Sequence, residues 1–130
     1  MNTGIIVDSC VWIEFFRKRE SDFTLHLSGL LRERRVRMGG MVLAEILQRI
    51  KVPEEANLVR QSLERLPYLE MTRNVWEKAG EISASLRTKG ITIPLSDLII
   101  AALALSEDQQ IFTIDPHFKE VRGLRLHNPT

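Results

Sequence analysis

The stretch "LSDLIIAALALSEDQQIFTIDP", residues 95–116, contains the two elements that decide the fold. Eight consecutive apolar residues follow Asp97, enough to form a helix that is buried on every side. The segment "QIFTID" then has the composition of a strand, and it ends at Asp115. A buried helix that leads into a strand is typical of proteins in which helices and strands alternate.

The same alternation extends toward the amino terminus. Ile5-Ile6-Val7 predicts a buried first strand that ends at Asp8, and apolar residues at helical spacing follow it. Further strands are predicted in "VRMGGM", "YLEM" and "LRLHN", and further helices near residues 25–31, 42–50, 54–66 and 72–89, with a turn or short helix in "PHFKEV". In the helix at 72–89 the residues predicted to face inward are Val75, Trp76, Ala79, Ile82 and Leu86. We therefore predict one α/β domain over residues 1–130, with a mostly parallel central sheet and helices on both faces.

Composition indicates an ordinary soluble protein, since 44% of the 130 residues are hydrophobic and 27% are charged. Cys10 is the only cysteine, which excludes an intramolecular disulfide and a thiolate zinc cluster. The apolar run 98–105 is too short to span a bilayer, and "MNTGIIVD" does not have the pattern of a signal peptide. We expect a cytoplasmic protein with no membrane partner.

The charge balance carries no global sign of nucleic-acid binding, because 18 basic residues face 17 acidic ones. Basic residues are nevertheless concentrated at Arg17-Lys18-Arg19 and at Arg32, Arg34, Arg35 and Arg37. These residues are either solvated surface or contacts to phosphate, which would add salt-dependent affinity without sequence information.

Four acidic residues are predicted to lie near one edge of the sheet. Asp8 and Asp115 end strands, Asp97 opens the buried helix, and Glu45 lies in the helix after the second strand. In open parallel sheets, ligands bind beyond the carboxyl ends of the strands. Each acid also has a structural alternative: the three aspartates suit helix caps, and Glu45 suits an i,i+4 pair with Arg49.

If the four carboxylates converge, they require a cation. Two like charges 4 Å apart repel by about 4 kcal/mol at an effective dielectric constant near 20. Mg²⁺ or Mn²⁺ prefers oxygen ligands, relieves that repulsion and retains water molecules. Such a site is suited to phosphodiester hydrolysis, because the metal activates the nucleophile and stabilises the leaving group.

The sequence resembles a PIN domain, and specifically the VapC-type toxin ribonucleases of bacterial and archaeal toxin–antitoxin pairs. The segments that carry the resemblance cover nearly the whole chain: "IIVDSCVWIEFF", "VLAEIL", "IPLSDLIIAALAL" and "IFTIDPHFKEVRGLRLHNP". The most specific part is the C-terminal stretch, in which an acid opens a buried helix and a strand then ends in Thr-x-Asp.

The resemblance implies an activity and a set of site residues. Asp8, Glu45, Asp97 and Asp115 would form the acidic quartet that binds Mg²⁺, with Mn²⁺ able to substitute. Ser9 and Thr113 would orient carboxylates or water by hydrogen bonds. The implied activity is metal-dependent endonucleolytic cleavage of RNA.

The resemblance also implies partners. The implied protein partner is a small cognate antitoxin whose C-terminal segment docks near the active site, and operator DNA is contacted only through the antitoxin. Members of the family are usually homodimers. From the basic clusters, the candidates for RNA contact are Arg17, Lys18, Arg34 and Arg35.

The aromatic residues of the first helix have two interpretations. Trp12, Phe15 and Phe16 pack in the core or form a hydrophobic groove for an antitoxin helix. Trp76 is predicted to lie in the core. The histidines His26, His117 and His127 are predicted to lie at the surface, since none has metal-ligand spacing with another.

Two positions near the quartet limit what the resemblance implies. The family accepts various residues at the position of Cys10, which is predicted to pack, and many relatives carry a polar or basic residue at the position of Ile114.

Other folds with acids at strand ends fit the sequence poorly. A phosphotransfer receiver needs neighbouring acids after the first strand and a later lysine, and a haloacid-dehalogenase-type phosphatase needs an aspartate where this chain has Cys10. The remaining alternative is a PIN-like interaction module with weak catalytic activity that serves as a subunit of an antitoxin-containing, DNA-binding regulatory complex.

Overall fold

The structure of the protein, a computed structural model, describes residues 4–128. Its strands are β1 (Ile5–Val7), β2 (Val36–Gly39), β3 (Tyr68–Leu69) and β4 (Gln110–Phe112). Its helices are α1 (Ser9–Phe16), α2 (Asp22–Arg32), α3 (Gly40–Gln48), α4 (Pro53–Leu63), α5 (Arg73–Thr88) and α6 (Leu95–Ser106), followed by a 3-10 helix at Pro116–Glu120. The predicted alternation of strands and helices is confirmed, and Pro129 of the C-terminal motif lies outside the described residues.

The four strands form one parallel sheet in the order β3-β2-β1-β4. From β1 the chain moves outward on one side through β2 and β3, and it returns to the other side of β1 only with β4. The strand order therefore reverses between β1 and β4. In open α/β sheets the crevice at such a reversal, beyond the carboxyl ends of the strands, is where ligands bind.

Every residue of β1 is buried, which indicates that both faces of the sheet are covered at this strand. Helix α6 forms the centre of the core, and its residues 97–104 are all buried. A Cβ atom at Gly39 would come within 2.6 Å of Leu103 Cδ2, so glycine lets the end of β2 approach α6 closely. The predicted α/β fold class is confirmed.

Two local predictions are wrong. Trp76 is 51% exposed, because Val75, Ala79 and Leu86 already supply the buried face of α5. The segment "LRLHN" is not a strand, since only Leu126 forms a bridge, parallel, to Ile111. Within residues 4–128, no helix combines the length and apolar character needed to cross a membrane.

Candidate metal centre

The four predicted acids line one cavity of about 280 Å³. Asp8 follows β1, Asp115 follows β4, and Asp97 and Glu45 come from α6 and α3. The cavity therefore lies at the crevice where the strand order reverses. The other residues that line it are Ser9, Cys10, Ile13, Glu14, Arg17, Arg49 and Ile114.

Asp8 is held by three donors. Its Oδ1 accepts a hydrogen bond from the Ser9 backbone N–H at 2.9 Å, which caps α1. Its Oδ2 accepts from Thr113 Oγ1 at 2.8 Å and from Cys10 Sγ at 3.3 Å. The residue as a whole is only 4% exposed. Asp8 therefore both caps α1 and lines the acidic cavity.

Thr113 joins the ends of β1 and β4. Its hydroxyl donates to Asp8 and accepts from the Asp115 backbone N–H at 3.0 Å. Cys10 lies beside this pair, and burial and the neighbouring Asp8 charge raise the pKa of its thiol to about 11. The thiol is therefore protonated near neutral pH and acts as a hydrogen-bond donor.

Asp97 is buried in the first turn of α6, with 7% exposure. Pro94 occupies the N-cap position of this helix, and Asp97 Oδ2 lies 3.0 Å from His117 Nδ1. The alternative in which Asp97 serves as a helix cap is therefore wrong. Burial raises the pKa of the Asp97 carboxyl, and the hydrogen bond from His117 opposes that rise.

His117 contacts two of the acids. Its ring Nδ1 lies 3.0 Å from Asp97 Oδ2 and 3.0 Å from Asp115 Oδ1, and its backbone N–H donates to Asp115 at 2.9 Å. The hydrogen bond to Asp97 raises the pKa of the His117 imidazole. One donor atom from each of Asp97, Asp115 and His117 lies within 4.8 Å of the others, which suits a metal ion.

The prediction that the histidines lie at the surface is confirmed for His117 and is wrong for His26 and His127. The His117 side chain is 45% exposed, and its ring contacts Asp97 and Asp115. His26 Nε2 and His127 Nε2 lie 2.7 Å apart, and both rings are partly buried against Phe112. Neither contact is visible as a local spacing, since the partners are far apart in sequence.

Glu45 brings an unsatisfied oxygen to the cavity. Its Oε1 is buried and has no hydrogen-bond partner among the described residues. Burial and the charge of Asp8 raise the pKa of this carboxyl. No ion pair in residues 4–128 joins Glu45 to Arg49, although the Arg49 charge acts in the opposite direction on that pKa.

These observations fit a hard divalent cation. A buried carboxylate oxygen without a partner is costly, and repulsion between neighbouring carboxylates adds to the cost. Mg²⁺ and Mn²⁺ bind oxygen ligands of this kind and would offset both terms. The candidate donors are the four carboxylates that line the cavity and the imidazole of His117, which contacts two of them.

The basic candidates divide into two groups. Arg17 lines the acidic cavity, and Lys18 follows it just beyond the end of α1. Arg34 and Arg35 instead precede β2, and the Arg35 carbonyl accepts a 2.8 Å bond from the Ile5 backbone at the start of β1. Arg34 and Arg35 therefore lie at the amino ends of the strands, and the structure does not bring them to the acids.

A second, more apolar cavity of about 270 Å³ adjoins the first. The two cavities share Ile13, Arg17 and Arg49 in their walls. Of the three aromatic candidates, Phe16 lines this second cavity, Phe15 is half-buried beside it in sequence, and Trp12 is a core residue with 2% exposure. Trp12 therefore does not line this cavity but packs beneath it, where its ring stacks on Phe16 with ring centroids 5.6 Å apart.

Two charged residues at the acidic cavity, Glu14 and Arg49, are not among the predicted site residues. The sequence around Glu14 carries no signal that would assign it to the site. Arg49 lies one helical turn after Glu45, so the spacing does place it on the same face of α3, although it suggests only an ion pair between them.

The fold and the site together define a parallel α/β domain with a carboxylate-lined crevice at the point where the strand order reverses. The family model of the PIN domain matches residues 5–124. The chain therefore belongs to the PIN domain family.

Solved structures with the same fold are distant in sequence. VapBC2 from Rickettsia felis, bound to a promoter DNA fragment, is 23% identical with a TM-score of 0.80, over 95% of this chain and 97% of that chain. DNA-bound VapBC from Salmonella typhimurium is 20% identical with a TM-score of 0.83, over 98% and 99%. VapC20 from Mycobacterium tuberculosis, a Sarcin-Ricin loop cleaving toxin, is 15% identical with a TM-score of 0.68, over 89% and 93%. A search of curated protein sequences finds no significant match.

Proposed function

We propose that this protein is a metal-dependent endoribonuclease and acts as the toxin of a type II toxin–antitoxin pair. One observation carries the proposal: in a PIN-family chain, Asp8, Glu45, Asp97 and Asp115 line one cavity, and a buried Glu45 oxygen there has no partner within residues 4–128. We place the protein in the cytoplasm, where RNA is available as a substrate.

The quartet would hold Mg²⁺ or Mn²⁺. When bound, such an ion supplies Lewis-acid activation of water and of the scissile phosphate. The contribution of the chain is to fix the carboxylates beforehand. Asp97 is held on the buried helix α6, and Asp8 is oriented by the Ser9 backbone and the Thr113 hydroxyl.

The arginines at the rim would bind the RNA backbone. Arg17 and Arg49 line the acidic cavity, are exposed, and form no ion pair within residues 4–128. A phosphate that approaches a group of carboxylates is repelled, so positive charge at the rim lowers the electrostatic barrier to substrate entry. These contacts position RNA without reading its sequence.

The proposed protein partner is a small antitoxin. Two of the solved relatives are VapBC structures bound to DNA. In this chain the cavity that adjoins the acidic one has charged and apolar residues in its wall, and it offers the accessible apolar side chains of Phe16, Ile50 and Val52 to a partner segment. An antitoxin C-terminal segment seated there would lie next to Arg17 and Arg49 and block substrate entry, while operator DNA would be contacted only through the antitoxin.

The nuclease proposal is tested by incubating the purified full-length protein, freed of any antitoxin, with end-labelled structured and single-stranded RNA. We expect endonucleolytic products with Mn²⁺ or Mg²⁺ and none with EDTA. Asp97→Asn should lower cleavage by at least about 10²-fold without loss of helical structure. Asp22→Asn, an exposed substitution of the same type in α2, should cleave like wild type.

Two results would contradict the nuclease proposal. If wild type leaves every RNA intact with either metal, the protein is better explained as an interaction module of a DNA-binding complex. If Asp97→Asn cleaves as fast as wild type, the cleavage does not come from the acidic cavity.

The partner proposal is tested separately by growth and by mass. Expression of wild type should inhibit growth, and co-expression of the small open reading frame next to its gene should restore growth. Light scattering of the purified protein should give the mass of a homodimer. Growth inhibition that the neighbouring frame does not relieve, or a monomeric mass, would contradict the corresponding part of the proposal.

A further inference from the structure

We infer that His117 is a metal ligand through Nδ1, and that its nitrogen makes the site prefer Mn²⁺ over Mg²⁺. This inference rests on the proposed function and deepens it, because it concerns which ion the site selects. The inference adds His117 to the four acidic residues as a ligand, and its evidence is the position of the Nδ1 atom beside Asp97 and Asp115.

The donor atoms of Asp97, Asp115 and His117 lie close enough together to share one ion. His117 Nδ1 lies 3.0 Å from Asp97 Oδ2 and 3.0 Å from Asp115 Oδ1. Neighbouring ligands of an octahedral ion with bonds of about 2.1 Å are separated by about 3 Å. The three residues therefore need little rearrangement to share an ion.

The backbone supports this position of the ring. Asp115 caps the 3-10 helix by accepting a hydrogen bond from the His117 backbone N–H at 2.9 Å. Pro116 at the start of that helix restricts the intervening backbone. The main chain of His117 is thus tied to one of the carboxylates that its ring contacts.

The His117 ring is accessible from solvent. Its side chain is 45% exposed, so a cation can reach the ring while Nδ1 stays beside Asp97 and Asp115.

A nitrogen ligand changes which ion is favoured. Mg²⁺ prefers oxygen ligands and gives up its water reluctantly. Imidazole suits first-row transition ions, and Mn²⁺ combines tolerance of nitrogen with a preference for carboxylate. A site of oxygens alone would discriminate less between Mn²⁺ and Mg²⁺ than a site that includes His117.

The direct test is electron spin echo envelope modulation of Mn²⁺ bound to the full chain. We expect a ¹⁴N coupling in wild type and its loss in His117→Asn, which replaces the nitrogen ligand with a nearby amide oxygen. His26→Gln is the matched control, since His26 contacts His127 rather than the acids, and it should retain the coupling.

Calorimetric titrations of the same variants supply a second readout. His117→Asn should weaken Mn²⁺ binding by at least about tenfold and change Mg²⁺ binding by less than about threefold. Circular dichroism establishes that the variant is folded. A wild-type spectrum without ¹⁴N coupling, or an equal loss of affinity for both ions, would overturn the inference and leave His117 as a hydrogen-bond partner of Asp97.

The failure of this inference differs from the failure of the proposed function. If RNA is cleaved but no ¹⁴N coupling is seen, the nuclease stands and the ligand assignment is wrong. If the coupling is seen but no RNA is cleaved, His117 is a ligand in a site that serves another purpose.

Discussion

The hydroxyl of Thr113 donates a 2.8 Å hydrogen bond to Asp8 Oδ2, across the point where the strand order of the sheet reverses. The same hydroxyl oxygen accepts a bond from the backbone N–H of Asp115. One side chain therefore orients the carboxylate that ends β1 and the loop that carries the acid after β4. The relative position of these two acids depends on a contact that neither strand could make alone.

Replacing Thr113 with valine should impair both the fold and the site. Thr113→Val retains the shape of the side chain but leaves the Asp115 backbone N–H without its acceptor, which we expect to cost about 1–2 kcal/mol in unfolding free energy. RNA cleavage should fall by about 10–100-fold, the usual effect of removing a group that orients a metal ligand. Urea denaturation and cleavage rates measure the two effects.

Thr113→Ser is the control for that change, because it retains the hydroxyl and removes only a methyl group. It should recover most of the cleavage rate. Equal losses in the serine and valine variants would show that packing of the methyl group matters, rather than the hydrogen bonds.

Glu45→Gln should stabilise the protein in the absence of metal. The folded state raises the pKa of Glu45 above its ordinary value of 4.5, chiefly by burial and then by the charge of Asp8. Above pH 4.5 the folded state therefore binds more protons at this site than the unfolded state, and wild-type stability falls as the pH rises through that window. Removing the charge should add about 1 kcal/mol near pH 7.

Thermal melts in EDTA and in Mn²⁺ test this expectation. Glu45→Gln should melt above wild type in EDTA at pH 7, and its advantage should vanish near pH 4. In Mn²⁺ the order should reverse, because only wild type retains the full ligand set. A variant that is less stable than wild type in EDTA would contradict the interpretation of Glu45 as an uncompensated charge.

The pair His26 and His127 should make stability depend on pH with the opposite sign. Their Nε2 atoms are 2.7 Å apart, and His127 Nδ1 lies 3.0 Å from the side-chain oxygen of Gln110, which can accept a hydrogen bond from Nδ1–H. Burial, followed by the charges of His26 and Arg35, lowers the pKa of His127 below its ordinary value of 6.5. Stability from this group is therefore complete above pH 6.5 and is lost as the pH falls toward the folded-state pKa.

Urea denaturation of wild type and His127→Asn between pH 5 and pH 8 checks this effect. The difference in unfolding free energy should be about 1 kcal/mol at pH 8 and shrink toward pH 5. Taking the difference cancels the contribution of His117, whose raised pKa acts in the other direction. A difference that does not change with pH would contradict the assignment.

The arginines that line the acidic cavity should bind RNA, whereas those at the amino ends of the strands should not. Arg17→Gln and Arg49→Gln should each weaken RNA binding. Each should also make the fall of log affinity with log salt less steep, by about 0.7 for each phosphate that is no longer neutralised, the value for single strands. Arg34→Gln is the matched control, since Arg34 precedes β2 at the amino ends of the strands. Fluorescence anisotropy at several salt concentrations measures the slope. Equal effects in all three variants would contradict the placement of the RNA at the cavity.

Much of the fold can be predicted from the sequence because its signals are local. Ile5-Ile6-Val7 is apolar throughout and forms a strand buried on both faces, and the run after Asp97 forms the central helix. The apolar pattern misplaces Trp76 because this residue lies next to Val75, and a helix of this length buries only one stripe of residues. The alternating pattern of "LRLHN" suits an edge strand, yet only Leu126 pairs with β4.

Less of the candidate site can be predicted from the sequence than the four predicted acids suggest. Asp8 and Asp115 follow strands, and their positions come directly from the alternation of elements. His117 contacts Asp97 from twenty residues away, which no local spacing reveals. Arg34 and Arg35 form a basic cluster in sequence. Because they precede β2, which runs parallel to β1, they lie at the amino ends of the strands, away from the acids, and the sequence does not show this without the sheet topology.

The central claim is that the four carboxylates that line the acidic cavity share a divalent cation. A calorimetric titration of the metal-free protein with Mn²⁺ tests this claim most directly. We predict saturable binding in wild type, reduced at least about tenfold in Asp97→Asn and left unchanged in the exposed control Asp22→Asn. Absence of Mn²⁺ binding in wild type, or equal binding in wild type and Asp97→Asn, would contradict the claim.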